Sequence, residues 1–150
     1  FVISTDNEAF CLTTEEYAQF KADGKIREAV CGRSTLLLRN GVQLDQSSST
    51  MPAATMEPRT AIGVSQDGKT VYLMVVDGRN FYYSNGADLY DLMNLMSACG
   101  AGDALNLDGG GSSTFIAKDA GSGELKLLNW PTDKGGVMRD VATGLAIVEQ

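Results

Sequence analysis

The sequence predicts an α+β fold: a mixed, largely antiparallel sheet, one buried amphipathic helix over residues 88–99 and a smaller N-terminal helix over residues 14–23. Three observations carry this. Leu89, Leu92, Met93, Met96 and Cys99 recur at i, i+3, i+4, i+7 and i+10, the period of one helical face. Thr13-Thr14-Glu15-Glu16 has the form of a capping box ahead of Tyr17, Ala18 and Phe20. Elsewhere, short apolar runs are punctuated by Asn-Gly, Asp-Gly or Gly-Ser-Gly, the turn chemistry that separates strands.

In chain order, the first helix begins at Thr13 as N-cap and stops at Gly24. Ile26 to Val30 and Thr35 to Leu38 read as strands, the second leading into the Asn40-Gly41 turn. Gln43 to Thr55 is rich in Ser and Gln, lacks periodicity and reads as a mobile loop. Pro58 fixes the start of a strand running to Val64. Asp67-Gly68 turns that strand into Thr70 to Val76, which is apolar almost throughout and therefore expected at the centre of the sheet. Asp77-Gly78-Arg79 ends it. Asp88 is the expected N-cap of the second helix and Gly100 its C-terminal glycine.

Asp103 to Thr114 is the most unusual stretch. A short apolar strand carrying Asn106 and ending in Asp108 runs directly into Gly109, Gly110 and Gly111. Each glycine costs roughly 0.5–1 kcal/mol relative to alanine within regular structure. A tight turn needs one or two of them, whereas three fit backbone that a ligand approaches closely. Ser113 to Ala117, Leu125 to Trp130 and Val141 to Val148 then read as further strands.

Composition narrows the function. A chain of 150 residues fits one domain, 1–150, with neither an internal repeat nor a second domain, and buries about 70% of its unfolded surface. With 12 Lys plus Arg against 19 Asp plus Glu, the net charge of −7 repels nucleic acid and anionic membranes, so an anionic ligand must be held locally. No apolar run is long enough to span a bilayer, and Phe1-Val2-Ile3 is too short for a signal peptide. Three cysteines without a CxxC pair make a zinc site improbable. Cys11 with Cys31 is the pairing favoured for any disulfide, with Cys99 left on the helical stripe as core. The absence of histidine excludes Ser-His-Asp and Cys-His catalysis and an imidazole base.

The polar residues at strand ends are Arg59, Thr60, Asp77, Arg79, Asn106, Asp108, Ser112, Ser113 and Arg139. Arginine forks and the N–H groups of a Gly-rich turn suit phosphate, and carboxylates suit a hydrolysable bond beside it. The glycine run is not a Walker loop, because the required lysine is missing. It is not a nucleophile elbow either, because Thr114 stands where the last glycine should be.

Pro58-Arg59-Thr60-Ala61-Ile62-Gly63, Val76-Asp77-Gly78-Arg79, Ser84-Asn85-Gly86-Ala87, Asn106 through Thr114, Asn129 before Pro131, and Arg139 before Val141-Ala142 resemble, in order, the motifs of the phosphodiester glycosidase family, over roughly Leu36 to Val148. The resemblance implies an α+β domain, extracytoplasmic in most members, that cleaves the bond between a sugar anomeric carbon and a phosphodiester. It also implies a sugar 1-phosphodiester or glycan partner; charge and hydropathy already argue against nucleic acid and membrane insertion, and no cofactor is expected, calcium being the one metal left open. Matched residue by residue, Arg59, Thr60, Asp77, Arg79, Asn106, Asp108 to Ser112 and Arg139 fall on the family's functional motifs. Of these, Asp108 and then Asp77 are expected as catalytic carboxylates, and Arg59, Thr60, Arg79, Asn106, Gly109, Gly110, Gly111, Ser112 and Arg139 as substrate- and phosphate-binding residues. Asp140 stands where members often have proline. The family's upstream Asn-Gly-rich segment has no counterpart, so the chain is expected to be the C-terminal part of a longer domain.

The chemistry agrees with that expectation. A phosphate leaving group needs little general-acid help, whereas clamping the phosphate and placing a carboxylate at the anomeric centre matter more. Burial raises a carboxylate pKa and nearby guanidinium lowers it; with Arg59, Arg79 and Arg139 expected close by, Asp108 is expected to be ionised. Two other functions compete. One is a non-catalytic module binding sugar phosphates or polysaccharide. The other is a structural domain holding calcium with Asp77, Asp103 and Asp108.

Overall fold

Caps and turns set most of the element boundaries in the computed structural model, which describes residues 1–33, 36–49, 51–133 and 136–148. The order is β1 (Val2–Ser4), β2 (Ala9–Phe10), α1 (Thr14–Ala22), β3 (Ile26–Ala29), β4 (Leu36–Arg39), β5 (Val42–Gln43), β6 (Arg59–Ser65), β7 (Val71–Val76), α2 (Leu89–Ala98), β8 (Ala101–Asn106), a 3-10 turn at Gly110–Ser112, β9 (Ile116–Lys118) and β10 (Leu125–Leu127). Both helices start in capping boxes. Thr13 Oγ1 accepts from the Glu16 amide at 3.2 Å while Glu16 accepts from the Thr13 amide at 2.8 Å, and Asp88 and Asp91 repeat the exchange at α2. Asn40 (φ 52°) and Gly41 (φ 77°) close the β4–β5 hairpin with two left-handed residues in succession, the geometry an Asn-Gly pair supplies most cheaply.

The main sheet has the order β5-β4-β8-β6-β7. Among the described residues every pairing is antiparallel, so the sheet is not mixed. Its two faces bury different clusters. Leu89, Leu92, Met93 and Met96 of α2 pack with Leu37, Ala61 and Ala104 on one side. Ile62, Val64, Leu36 and Leu105 face the other side, towards Phe1 and Cys11 beside the small β2-β1-β3 sheet. The alternation of Ala61, Ile62, Gly63 and Val64 along β6 therefore builds two cores from one strand.

Gly63 lets the helix come this close. A Cβ there would lie 2.6 Å from Met96 Cε and 2.9 Å from the Asp103 carbonyl oxygen; the methionine end can move, but the backbone carbonyl cannot. Gly63→Ala is therefore expected to cost about 1–3 kcal/mol by overpacking. The check is a lowered denaturant midpoint with an unchanged m value.

The structure corrects several sequence expectations. β7 is an edge strand, not a central one. Tyr72, Met74 and Val76 pack towards α2 and Leu73 towards the opposite cluster, so an edge strand covered on both faces reads like an interior one. Cys99 is exposed, because the helix ends at Ala98 and Cys99 is its C-cap rather than part of the stripe. The described residues between 43 and 55 are pinned rather than loose: buried Gln46 donates to the Leu36 and Leu44 carbonyls, and the Ala53 carbonyl accepts from the Leu89 amide. The apolar run Val141 to Val148 forms no strand, and Ile147 and Val148 are exposed, because an apolar run becomes a strand only where a partner edge pairs with it. Thr35, expected to start β4, lies outside the described residues. Cys11 and Cys31 are not bridged. Cys11 is buried, which pushes its thiol up to about 12, while Cys31 is exposed.

Candidate active site

The register of the main sheet gathers the site. Arg59 pairs with Val76 and Ala61 with Asn106, so the start of β6 lies beside the ends of β7 and β8. Everything that leaves those ends meets here: Asp77 to Arg79 after β7, and Asp108 to Ser112 after β8.

The glycine turn is seated on the residues before and within β6. The Leu107 amide donates to the Thr60 carbonyl at 2.8 Å and the Gly110 amide to the Pro58 carbonyl at 2.8 Å. The Ser112 and Ser113 amides donate back to Gly109 and Gly110 at 3.1 Å each. Three amides of the turn are thus spent in holding its shape, which limits what it offers as an anion nest. Thr60 Oγ1 donates to Ser113 Oγ at 3.2 Å and locks the far end of the turn.

Two arginines flank this turn. Arg79 adopts φ 55°, an unusual conformation for a side-chain-bearing residue, and its Nε donates to Glu57 at 2.6 Å. Its Nη2 lies 3.2 Å from where a Cβ on Gly110 would stand. Arg139 reaches back from the C-terminal region: Nη1 donates to Asp133 at 3.0 Å and Nη2 to Ser112 Oγ at 2.6 Å. The Asp133 carboxylate lies directly against Gly111, in the space a side chain there would occupy. The Arg79 and Arg139 side chains are both about half exposed, at 50% and 47%.

Arg59 is placed differently. It is 2% exposed, and its guanidinium donates to the Ala87 carbonyl at 2.9 Å and the Thr55 carbonyl at 2.7 Å. Burial lowers its pKa, opposed by the charges of Glu57 and Asp88. Its position makes it a brace for the loop ahead of β6 and the turn ahead of α2, rather than one of the open arginines expected from the sequence.

The two candidate carboxylates also differ. Asp77 Oδ1 accepts from Asn129 Nδ2 at 3.0 Å and the Trp130 amide at 2.9 Å, and Asn129 donates again to the Ser113 carbonyl at 3.0 Å. Asp77 therefore ties the end of β7 to the segment after β10 and to the turn. Asp108 is open, with a side chain 61% exposed and Arg33 Nε 3.6 Å away. Arg59, Arg79 and Arg139, expected around Asp108, instead hold carbonyls, Glu57 and Asp133. Asn106 is buried; its Nδ2 contacts Met51 Sδ at 3.8 Å and its Oδ1 finds no partner among the described residues. Arg33, Glu57 and Asp133 escaped the sequence reading because they lie in aperiodic loops. The local signals that could have marked two of them are the position of Glu57 directly before Pro58-Arg59 and that of Asp133 two residues beyond Pro131.

The proposed calcium set is not assembled. Asp103 pairs with Arg39 at 2.6 Å and the Asn40 amide at 2.8 Å, away from Asp77 and Asp108, and no group of three potential ligands comes together among the described residues. Two cavities of about 160 and 530 Å³ lie elsewhere, one beside Cys11 and Asp103, the other beside Arg27 and Leu145. No helix among the described residues is long and apolar enough to cross a membrane.

Gly110 supplies a test of the turn. At φ 60° an alanine costs roughly 1–2 kcal/mol, and its Cβ also meets the Arg79 guanidinium. Gly41, also left-handed, has open space around it. Gly110→Ala and Gly41→Ala should lower the melting temperature similarly, and only Gly110→Ala should weaken binding of inorganic phosphate, read by calorimetric titration.

A family model of phosphodiester glycosidases matches residues 1–148, a span that includes the N-terminal residues ahead of the motif-bearing stretch that begins at Leu36. Among solved structures, the chain is similar to the catalytic domain of zebrafish N-acetylglucosamine-1-phosphodiester α-N-acetylglucosaminidase auto-inhibited by its pro-peptide, with 25% identity and a TM-score of 0.55 over 71% of this chain. It spans 38% of that zebrafish chain. A Burkholderia pseudomallei protein is 36% identical over 55% of this chain and 15% of its own, with a TM-score of 0.44. No curated protein matches the chain. With a family match running through both arginines, both aspartates and the glycine turn, the chain belongs to the phosphodiester glycosidase family.

Proposed function

We propose that the protein hydrolyses the glycosidic bond between a sugar anomeric carbon and a phosphodiester. The observation that carries this reading is the convergence of Arg79 and Arg139, both half exposed, on the Gly109–Gly111 turn of a chain with net charge −7. Guanidinium forks at a glycine floor suit a phosphate that brings its own negative charge. Arg79 spends Nε on Glu57 and turns its Nη groups towards Gly110, where a phosphate oxygen would meet them.

Asp108, open and adjacent to the turn, is the carboxylate proposed at the anomeric carbon. Asp77, with Oδ1 held by two N–H donors, is second choice and orients the site floor. Ser112, Asn106 and Thr60 support the turn, and Arg59 braces the loops beneath it. In the reaction the C1–O bond breaks, water supplies the hydroxyl to C1, and the remaining proton goes to the released phosphomonoester. An extracytoplasmic location and the absence of a required cofactor belong to the same proposal.

The name of the zebrafish neighbour makes an N-acetylglucosamine 1-phosphodiester the first substrate to test. The assay uses the full-length protein, with and without chelator, and follows release of the free sugar. Turnover in both arms is the expected result. Binding without turnover would leave a sugar-phosphate-binding module, and loss of activity with chelator would restore the calcium reading.

A further inference from the structure

Both arginines of the proposed clamp are already paired. Arg79 Nε donates to Glu57 at 2.6 Å and Arg139 Nη1 to Asp133 at 3.0 Å. The carboxylates are the inner partners: the Glu57 and Asp133 side chains are 28% and 32% exposed, against 50% and 47% for the arginines. Each guanidinium therefore faces solvent with a carboxylate set deeper beside it.

Neither carboxylate is a loose surface group. The Glu57 amide donates to the Ala87 carbonyl at 3.2 Å and the Ala87 amide to the Glu57 carbonyl at 3.0 Å. Gly86, at φ 107°, lies so close that a Cβ there would stand 2.7 Å from the Glu57 nitrogen, so the backbone carrying Glu57 has little room to shift. Asp133 rests its carboxylate directly against Gly111, and Arg139 joins it to Ser112 at the end of the same turn. The turn itself adds little positive potential, because the Gly110, Ser112 and Ser113 amides are bonded to carbonyls. What the clamp offers an anion is thus two guanidinium charges less two carboxylate charges.

We propose that Glu57 and Asp133 are specificity-determining residues that set the charge the clamp accepts: they leave arginine N–H groups for a phosphate with one negative charge and disfavour a phosphate with two. This rests on the reading of the site as a phosphate clamp. A phosphodiester carries one charge near neutral pH, whereas a phosphomonoester, with its second pKa at about 6, carries close to two. The second charge gains little from arginines already neutralised and is repelled by the two carboxylates beside them. The phosphomonoester that hydrolysis releases loses its remaining proton to solvent above that pKa and becomes the disfavoured ion, so the same two residues favour its departure.

Asp133→Asn and Glu57→Gln separate charge from scaffolding, since each keeps the side-chain shape and an oxygen to accept from its arginine. Their melting temperatures should stay close to that of the unaltered protein, because partly exposed pairs contribute little to stability. The full-length protein and each variant are titrated calorimetrically at about pH 8, where dimethyl phosphate carries one charge and methyl phosphate close to two. The unaltered protein should bind dimethyl phosphate at least as tightly as methyl phosphate. Each variant should gain about tenfold in affinity for methyl phosphate and no more than about threefold for dimethyl phosphate, the effect of removing one like charge at a partly exposed site. Equal gains for both anions, no gain, or weaker binding of either overturns the charge-setting role and leaves the two carboxylates as props for the arginines. So does tighter binding of methyl phosphate than of dimethyl phosphate by the unaltered protein, or binding of neither anion by any of the three proteins. Free-sugar release from an N-acetylglucosamine 1-phosphodiester, followed in parallel, tests the hydrolase reading separately. Turnover with no selective gain overturns the charge-setting role alone, and a selective gain with no turnover overturns the hydrolase reading alone.

Discussion

Asp108→Asn should fold as the unaltered protein does, still bind a sugar 1-phosphodiester, and lose roughly 10²–10⁴-fold in turnover, the range for a group acting directly in the chemical step. The side chain is 61% exposed and its ion partner Arg33 is 3.6 Å away, so removing its charge disturbs little packing and only a weak surface pair. Asparagine keeps the shape and hydrogen-bonding reach of the side chain. It cannot stabilise positive charge developing at an anomeric carbon or attack it. Asp77→Asn is the matched control. Its Oδ1 position can still accept from Asn129 and Trp130, so the architecture survives and only a chemical role would be exposed. A near-normal Asp108→Asn enzyme beside an inactive Asp77→Asn enzyme reverses the assignment.

Arg79→Ala should lose about 1.5–3 kcal/mol of substrate or transition-state stabilisation, roughly 10- to 150-fold in kcat/KM, because a charge-assisted hydrogen bond to phosphate disappears. The melting temperature should barely move, since the Arg79–Glu57 pair is half exposed and such pairs contribute little to stability. Arg79→Lys separates charge from geometry: an ammonium keeps the charge and loses the planar fork, so its partial recovery measures what the fork adds. Unchanged kcat/KM and unchanged phosphate inhibition in Arg79→Ala would move the clamp elsewhere.

Local signals in the sequence gave way to three-dimensional ones in a consistent way. The capping boxes at Thr13 and Asp88, the Asn40-Gly41 hairpin and the stripe Leu89, Leu92, Met93 and Met96 were legible because each depends on residues within a few positions of one another. Strand order was not. Val71 to Val76 is apolar for the sake of two faces, and nothing in the run records that one of its two edges lacks a neighbour among the described residues. The site followed the same division. Asp77, Arg79 and Asp108 to Ser112 stood out as polar residues and glycines at strand ends. Which arginine faces the open turn was not readable, because Arg59 differs from Arg79 only in pointing into loops pinned by long-range contacts. The carboxylates that hold the open arginines, Glu57 and Asp133, have no periodic context to mark them.

The edge position of β7 has a consequence for handling the molecule. An edge strand of sequence Val-Tyr-Leu-Met-Val-Val carries a row of outward backbone donors and acceptors with neither a proline nor a charge along its length to discourage pairing. Two such edges meeting antiparallel would continue the sheet from one molecule into the next, so the stretch is the natural seam for self-association when the chain is produced at high concentration. A single lysine at outward-facing Val71, which is already 38% exposed, would place a gatekeeper on that seam far from the glycine turn.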